Sequence, residues 1–168
     1  FLLFSGVNLF FAGPSMAIEV TDNQQLKLAS MEGLWQSTSC APMYLVGWVD
    51  ESTQTTTGIS IPCLLSFLAY QDINATVQGI DSFSPPAQTP PVNLLFQVYH
   101  LMIMLAPVLF GIAGLAALWF LWKRRLFRSR FVLGLLVLSV VLSEMAIIAG
   151  WWTAEIGRQP WIVYNVLL

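Results

Sequence analysis

The sequence predicts an all-α integral membrane protein, a bundle of transmembrane helices interrupted by a long extracytoplasmic loop. The chain of 168 residues is 57% hydrophobic and only 10% charged, whereas soluble domains are about 25% charged. Two long apolar runs contain no lysine or arginine, and the short segment between them holds most of the positive charge. The net charge of −2 offers no basic surface for a phosphate backbone, which argues against nucleic acid as a partner.

The first predicted element, residues 1–14, is the end of a transmembrane helix. Phe1 to Ala12 is apolar, and we expect Gly13-Pro14 to end the helix because proline lacks the N–H that a helix needs. The sequence starts inside this apolar run and stops as another begins at residues 162–168. We therefore interpret it as part of a longer chain.

Residues 15–93 contain polar clusters and most of the prolines, and they predict a loop of domain-like length. Within it, Asn23 to Gln36 has the pattern of a short amphipathic helix, whereas Ile61 to Tyr70 is apolar but too short to span a bilayer. Cys40 and Cys63 both lie in this loop. A disulfide is chemically permitted outside the cytoplasm, but two free thiols are the expectation.

Residues 94–122 and 131–154 predict two transmembrane helices. Leu94 to Trp122 has no charged residue, and as a helix it would be about 43 Å long against a hydrocarbon core of about 30 Å. Phe131 to Trp152 would be about 33 Å long and contains one acid, Glu144. Acids inside a membrane are functional by default. Glu144 could relay protons or contact a helix of a second subunit, and both hypotheses stay open.

Residues 123–130 hold five of the seven basic residues and predict a short cytoplasmic turn by the positive-inside rule. The long loop and residues 155–168 are then extracytoplasmic. Counted from this turn, Met102 and Trp151 each lie about 30 Å along their helices, in one layer near the outer surface.

Glu155 and Arg158 follow Trp151 at helical spacing, so the three side chains share one face. On spacing alone, Glu155 and Arg158 are expected to form an ion pair at a helix end, and a methionine in an apolar helix is expected to be packing material.

Three sequence blocks resemble one family. GWWTAEIGRQPW, from Gly150 to Trp161, resembles the GWxxAExGRQPW signature of subunit I of the cytochrome bd-type quinol oxidases. KLASMEG, from Lys27 to Gly33, is similar to the quinol-loop motif, and IPCLLSFLAY with FQVYHLM resembles the loop end and the next helix. The resemblance covers nearly the whole chain and implies a helix bundle around three haems, of which this chain forms a C-terminal part.

The resemblance also implies residue roles. It assigns Met102 as an axial ligand of the low-spin haem b558 and Glu155 as a ligand at haem b595. Lys27 and Glu32 are implied in quinol oxidation.

Three more residues are expected near the haems. Arg158 would bind a haem propionate or balance the charge of the Glu155 carboxylate, since a guanidinium group forms bidentate hydrogen bonds with planar anions. Trp151 would pack against a macrocycle. His100 stands where many members carry arginine and is expected to meet a propionate.

The implied function is that of a terminal quinol oxidase of the prokaryotic cell membrane, which oxidises quinol at the outer face and reduces oxygen to water. Subunit II, small accessory subunits, lipid and the missing N-terminal half would be its partners. Because the histidines for haem d and for the other face of b558 lie in that missing half, the fragment is not expected to be active alone. Gln24-Gln25, Ser30 and Asn165 depart from the family pattern and leave the choice between ubiquinol and menaquinol open.

Two alternatives belong to other functional classes. The chain could be an ion or proton transporter module in which Glu144, His100 and Glu155 form a polar pathway without a cofactor. It could also be a degenerate assembly subunit that has lost haem.

Overall fold

The computed structural model describes residues 2–83, 89–123, 129–162 and 167. Most of the predicted basic turn, residues 124–128, and most of the last apolar run, including Asn165, lie outside this part of the chain. The elements, in order, are α1 (Leu2–Asn23), α2 (Gln25–Glu32), β1 (Thr38–Ser39), β2 (Met43–Asp50), β3 (Thr55–Ile61), α3 (Leu64–Tyr70), β4 (Thr76–Val77), a 3₁₀ turn (Ile80–Ser82), α4 (Val92–Lys123) and α5 (Arg130–Ile156).

Helices α4 and α5 are long and apolar enough to cross a membrane. The candidate spans, Val92–Trp122 and Arg130–Ile156, contain 31 and 27 residues and have mean hydropathies of 2.4 and 2.5. Ser129 begins α5, because its side chain accepts a hydrogen bond from the Val132 N–H at 3.4 Å. Few side chains in the most apolar stretches of both helices are buried in the isolated chain, as expected of surfaces that meet lipid or further helices. The prediction of a mostly helical fold with two helices that could span a membrane is therefore confirmed.

Helix α1 does not end where the sequence predicted. It continues through Gly13-Pro14 to Asn23. A proline inside a helix removes one hydrogen bond and can bend the helix without ending it. Met16, Ala17 and Glu19 follow it and are good helix formers. The break comes at Gln24, whose φ of −142° and ψ of 57° are not helical.

Helix α2 is shorter and more buried than an amphipathic surface helix. It stops at Gly33, which adopts the left-handed conformation with φ of 61°, where glycine has no steric penalty. Of its eight residues, six are buried: Leu26, Leu28, Ala29, Ser30, Met31 and Glu32. The helix therefore lies inside the loop and contributes to both of its small hydrophobic cores.

The loop also contains β-structure, so the strictly all-α prediction was wrong here. Strands β2 and β3 pair antiparallel from Met43↔Ile61 to Asp50↔Thr55, and their threonine, valine and isoleucine residues favour strands. The hairpin is fixed to the start of α4, where the Gln97 amide donates to the Gly47 carbonyl at 2.9 Å. Phe96, fully buried, packs in the core between the hairpin and α2.

The expectation of two free thiols was also wrong, because Cys40 and Cys63 form a disulfide. The chain after Cys40 is held against α3 by two hydrogen bonds. Leu65 N–H donates to the Ala41 carbonyl at 3.2 Å, and Ala41 N–H donates to the Ser66 hydroxyl at 2.8 Å. This long-range pairing brings the two cysteines together, and spacing along the sequence could not reveal it.

We expect removal of this disulfide to destabilise the loop. The bridge closes a segment with a sequence separation of 23, for which chain entropy gives about 3 kcal/mol. The double variant Cys40→Ser/Cys63→Ser should therefore unfold at a lower temperature than the oxidised protein. Added reductant should lower the unfolding temperature of the wild type and leave that of the variant unchanged. Thiol labelling of both cysteines without reductant would contradict the bridge.

Candidate functional site

The predicted site residues lie where α2 meets the first part of α4 and the end of α5. Lys27 and Glu32 both lie on α2, but they face different helices, as expected for residues five apart. Lys27 lies against the end of α5, where a Cβ on Gly157 would be only 2.8 Å from its Cε and 3.0 Å from its Cγ. Glu32 lies against α4 beside His100. Helix α2 thus connects the two membrane helices at this level.

The Glu32 carboxyl is buried, with 1% of its side chain exposed. Burial raises its pKa from 4.5 to about 8, and the hydroxyl of Tyr99 offsets this rise only in part. Glu32 is therefore mostly protonated at neutral pH. Its carboxyl can exchange a proton with a partner near ambient pH, which suits general acid–base chemistry.

His100 is held so that one ring nitrogen faces Glu32. Its Nδ1 lies 2.8 Å from the Phe96 carbonyl, which can only accept, so Nδ1 carries a proton. The ring stacks on Phe96 at 3.9 Å between centroids. Nε2 lies 3.9 Å from Glu32 Oε2, and neither carboxyl oxygen nor Nε2 has a hydrogen bond of normal geometry among the described residues. The expected contact of His100 with a propionate stays a prediction.

Met102 lies on α4 with its sulfur towards α5. A Cβ on Gly150 would be 3.0 Å from this sulfur, so the thioether packs directly on the α5 backbone next to Trp151. This agrees with the predicted common layer of Met102 and Trp151. A larger residue than glycine at position 150 would displace the sulfur.

Trp151, Glu155 and Arg158 form the exposed part of the site. Trp151 is 63% exposed, and the Arg158 guanidinium donates to the Glu155 carboxylate in an ion pair. The ion pair predicted from spacing is thus present. Both of its side chains are about half exposed, at 45% for Glu155 and 53% for Arg158, so they remain accessible to a bound group.

A third charge lies close to this pair. Burial lowers the pKa of Lys27, the charge of Arg158 lowers it further, and Glu155 partly offsets both. The end of α5 therefore combines a carboxylate with two cations.

These donors fit a haem better than a bare metal ion. The described residues hold no group of three His, Cys, Asp or Glu side chains that could bind an ion, whereas a porphyrin requires only single axial donors. The thioether of Met102 is a soft neutral donor and the carboxylate of Glu155 a hard anionic one. Around them, apolar side chains that could contact a macrocycle are exposed: Leu101, Ile148 and Trp152.

Sequence reasoning missed several features of this site. The pairing of Glu32 with His100 joins two elements 68 positions apart, and no local pattern predicts it. No sequence pattern indicated that Tyr99 would lie beside Glu32 either. Gly150 and Gly157 stand within the quoted motif, but the reason for each glycine becomes visible only from its contact with Met102 or Lys27. Glu144 lies on an exposed face of α5, and both hypotheses for it stay predictions.

Comparison with known proteins identifies the family to which this chain is similar. The family model for "Cytochrome bd terminal oxidase subunit I" matches residues 1–168. The chain is 29% identical to cytochrome bd ubiquinol oxidase subunit 1 of Bacillus subtilis, over 98% of this chain and 37% of that protein. It is 32% identical to a putative cytochrome bd menaquinol oxidase subunit I of the same organism, over 92% of this chain and 35% of that protein.

A solved structure is also similar. The bd oxidase from Geobacillus thermodenitrificans matches 98% of this chain and 37% of its own, with a TM-score of 0.78 and 30% sequence identity. The chain thus spans little more than a third of each of these relatives. Because the family model matches its whole length, the chain belongs to the cytochrome bd terminal oxidase subunit I family.

Proposed function

We propose that the chain is part of the haem-bearing subunit of a terminal quinol oxidase, which oxidises quinol at the outer membrane face and reduces oxygen to water. One observation carries this proposal. Helix α2, with the motif assigned to quinol, packs against α4 two residues from Met102 and against α5 two residues from Glu155. Residues assigned to substrate and to haem therefore form one site.

The residues of this chain have distinct roles in the proposal. Met102 holds the low-spin haem b558 and Glu155 holds haem b595, while the absent part of the subunit contributes the site of haem d. When bound, the haems supply the electron transfer and the oxygen chemistry. Arg158 balances the Glu155 charge, and Trp151 provides an aromatic surface for a macrocycle.

Glu32 and Lys27 serve the quinol side. The pKa of Glu32, raised to about 8 by burial, suits a group that takes up a proton and releases it again near neutral pH. Lys27 keeps part of its side chain accessible and can orient a quinol oxygen. Subunit II, small accessory subunits, lipid and the N-terminal half would complete the assembly in the prokaryotic membrane.

The complete protein provides the test of this function. Purified with its partner subunits, it should consume oxygen when quinol is supplied, and it should show absorption bands of b-type haem that change on reduction. A transporter module or a degenerate assembly subunit would show neither the bands nor the oxygen consumption.

We expect Glu155→Ala in the complete protein to remove most of the high-spin b-haem signal, because alanine has no donor for iron. The low-spin signal should persist, since Met102 is unchanged. Glu144→Ala is the matched control, because it removes an acid of the same helix about 16 Å away. Reduced-minus-oxidised spectra provide the measurement. An intact high-spin signal in Glu155→Ala, or an equal loss in both variants, would refute the assignment.

A further inference from the structure

The contact between Lys27 and Gly157 is closer than ordinary side-chain packing. The φ of −67° and ψ of −12° at Gly157 are helical values that any residue adopts, so its dihedral angles alone do not require glycine. A Cβ, however, would meet Lys27 Cε at 2.8 Å, Lys27 Cγ at 3.0 Å and the Thr153 carbonyl oxygen at 2.8 Å. Gly157 therefore provides the space in which the Lys27 side chain lies.

Gly157, on which the Lys27 side chain lies, stands in the sequence between the two members of an ion pair. Gly157 follows Glu155 by two residues and precedes Arg158, and these two side chains form the ion pair at the end of α5. Because Lys27 packs on the residue between them, its ammonium lies near both charges, which shift its pKa in opposite directions. Because Lys27 belongs to α2 and Gly157 directly follows α5, the contact joins the loop to the membrane helix.

We propose that Lys27, packed on Gly157, is a positioning residue for the Glu155–Arg158 pair. Helix α2, which carries the quinol-loop motif, then contributes to the electrostatic field at Glu155, the carboxylate assigned to haem iron. The inference rests on the proposed function and extends it. Lys27 then acts on the haem side of the site as well as on quinol. Any displacement of α2 from α5 moves a positive charge away from Glu155.

The positive charge of Lys27 should change the midpoint potential of the high-spin b haem in a predictable direction. A cation near the iron ligand favours the reduced, less positive iron, so its removal lowers the midpoint potential. In the complete, haem-loaded complex, Lys27→Met should lower the midpoint potential of the high-spin b haem, whereas Lys27→Arg, which keeps the charge, should leave it close to the wild-type value. The measurement is a spectroscopic redox titration, with the low-spin haem as internal reference.

The packing of the Lys27 side chain on Gly157 can be tested without any redox measurement. Gly157→Ala keeps the charge of Lys27 but displaces its stem, so an amine-reactive reagent should label Lys27 several-fold faster. Lys123, the other lysine of this chain, calibrates the reagent in the same mass spectrum. Gly134→Ala is the matched control, because the structure places nothing within 4 Å of a Cβ at this α5 position.

The outcomes separate this inference from the proposed function. A midpoint potential that is unchanged in Lys27→Met, whatever happens to the KM for quinol, would overturn the positioning role. Equal labelling rates of Lys27 in the Gly157→Ala and Gly134→Ala variants would contradict the packing of Lys27 on Gly157. A wild-type complex without haem would instead refute the proposed function.

Discussion

Replacement of Met102 by leucine in the complete protein should abolish the absorption bands of the low-spin b haem while the protein still inserts in the membrane. Leucine has nearly the volume of methionine, so the exchange costs packing energy of less than about 1.5 kcal/mol. It removes the sulfur that lies against α5 at Gly150. The loss is therefore one of ligand chemistry and leaves the helix pair in place.

Met104→Leu is the matched control for this prediction. Met104 lies two residues further along α4, is partly exposed, and points to a different face of the helix. Its replacement should leave the reduced-minus-oxidised spectrum unchanged. If Met102→Leu kept the low-spin bands, or if both variants lost them equally, the ligand would lie elsewhere.

Glu32→Gln should lower quinol turnover by on the order of 100-fold, the usual range for the loss of an acid–base group, and at the same time stabilise the protein. The pKa of Glu32 is about 8 in the folded chain against 4.5 for the free group. Between these values the unfolded chain has lost the proton that the folded chain still holds. Stability therefore falls as the pH rises through this window.

The size of the change in unfolding free energy follows from the rise in the pKa of Glu32. Each pKa unit corresponds to about 1.4 kcal/mol, so the ionisable group would cost about 3 kcal/mol of stability at pH 7. Glutamine cannot ionise and avoids this cost. The groups that face Glu32 from α4 are Tyr99 and His100, and both remain in the variant.

The test compares unfolding temperatures of wild type and Glu32→Gln between pH 4.5 and 8. The advantage of the variant should be smallest near pH 4.5, which serves as the internal control, and should grow towards pH 8. For turnover, Glu19→Gln at an exposed position of α1 is the matched control and should keep wild-type activity and haem content. A constant difference in unfolding temperature, or unchanged turnover in Glu32→Gln, would contradict the role of Glu32.

The sequence predicted the parts of the fold that depend on local composition. The run from Leu94 and the run from Phe131 became α4 and α5 to within about two residues, because uninterrupted apolar character marks a spanning helix.

Features that depend on long-range contacts could not be predicted. The threonine-rich strand β3 carries a weak local preference that becomes a hairpin only by pairing with β2. Cys40 and Cys63 are joined because α3 packs beside the chain after Cys40. The raised pKa of Glu32 arises from burial by α4, a helix that begins 60 positions later.

The most direct measurement is the haem and iron content of the complete protein purified from membranes with its partner subunits. If Met102 and Glu155 each hold an iron porphyrin, low-spin and high-spin b-type haem should be present in equal amounts. A correctly assembled complex that contains no iron and no visible absorption would contradict this assignment.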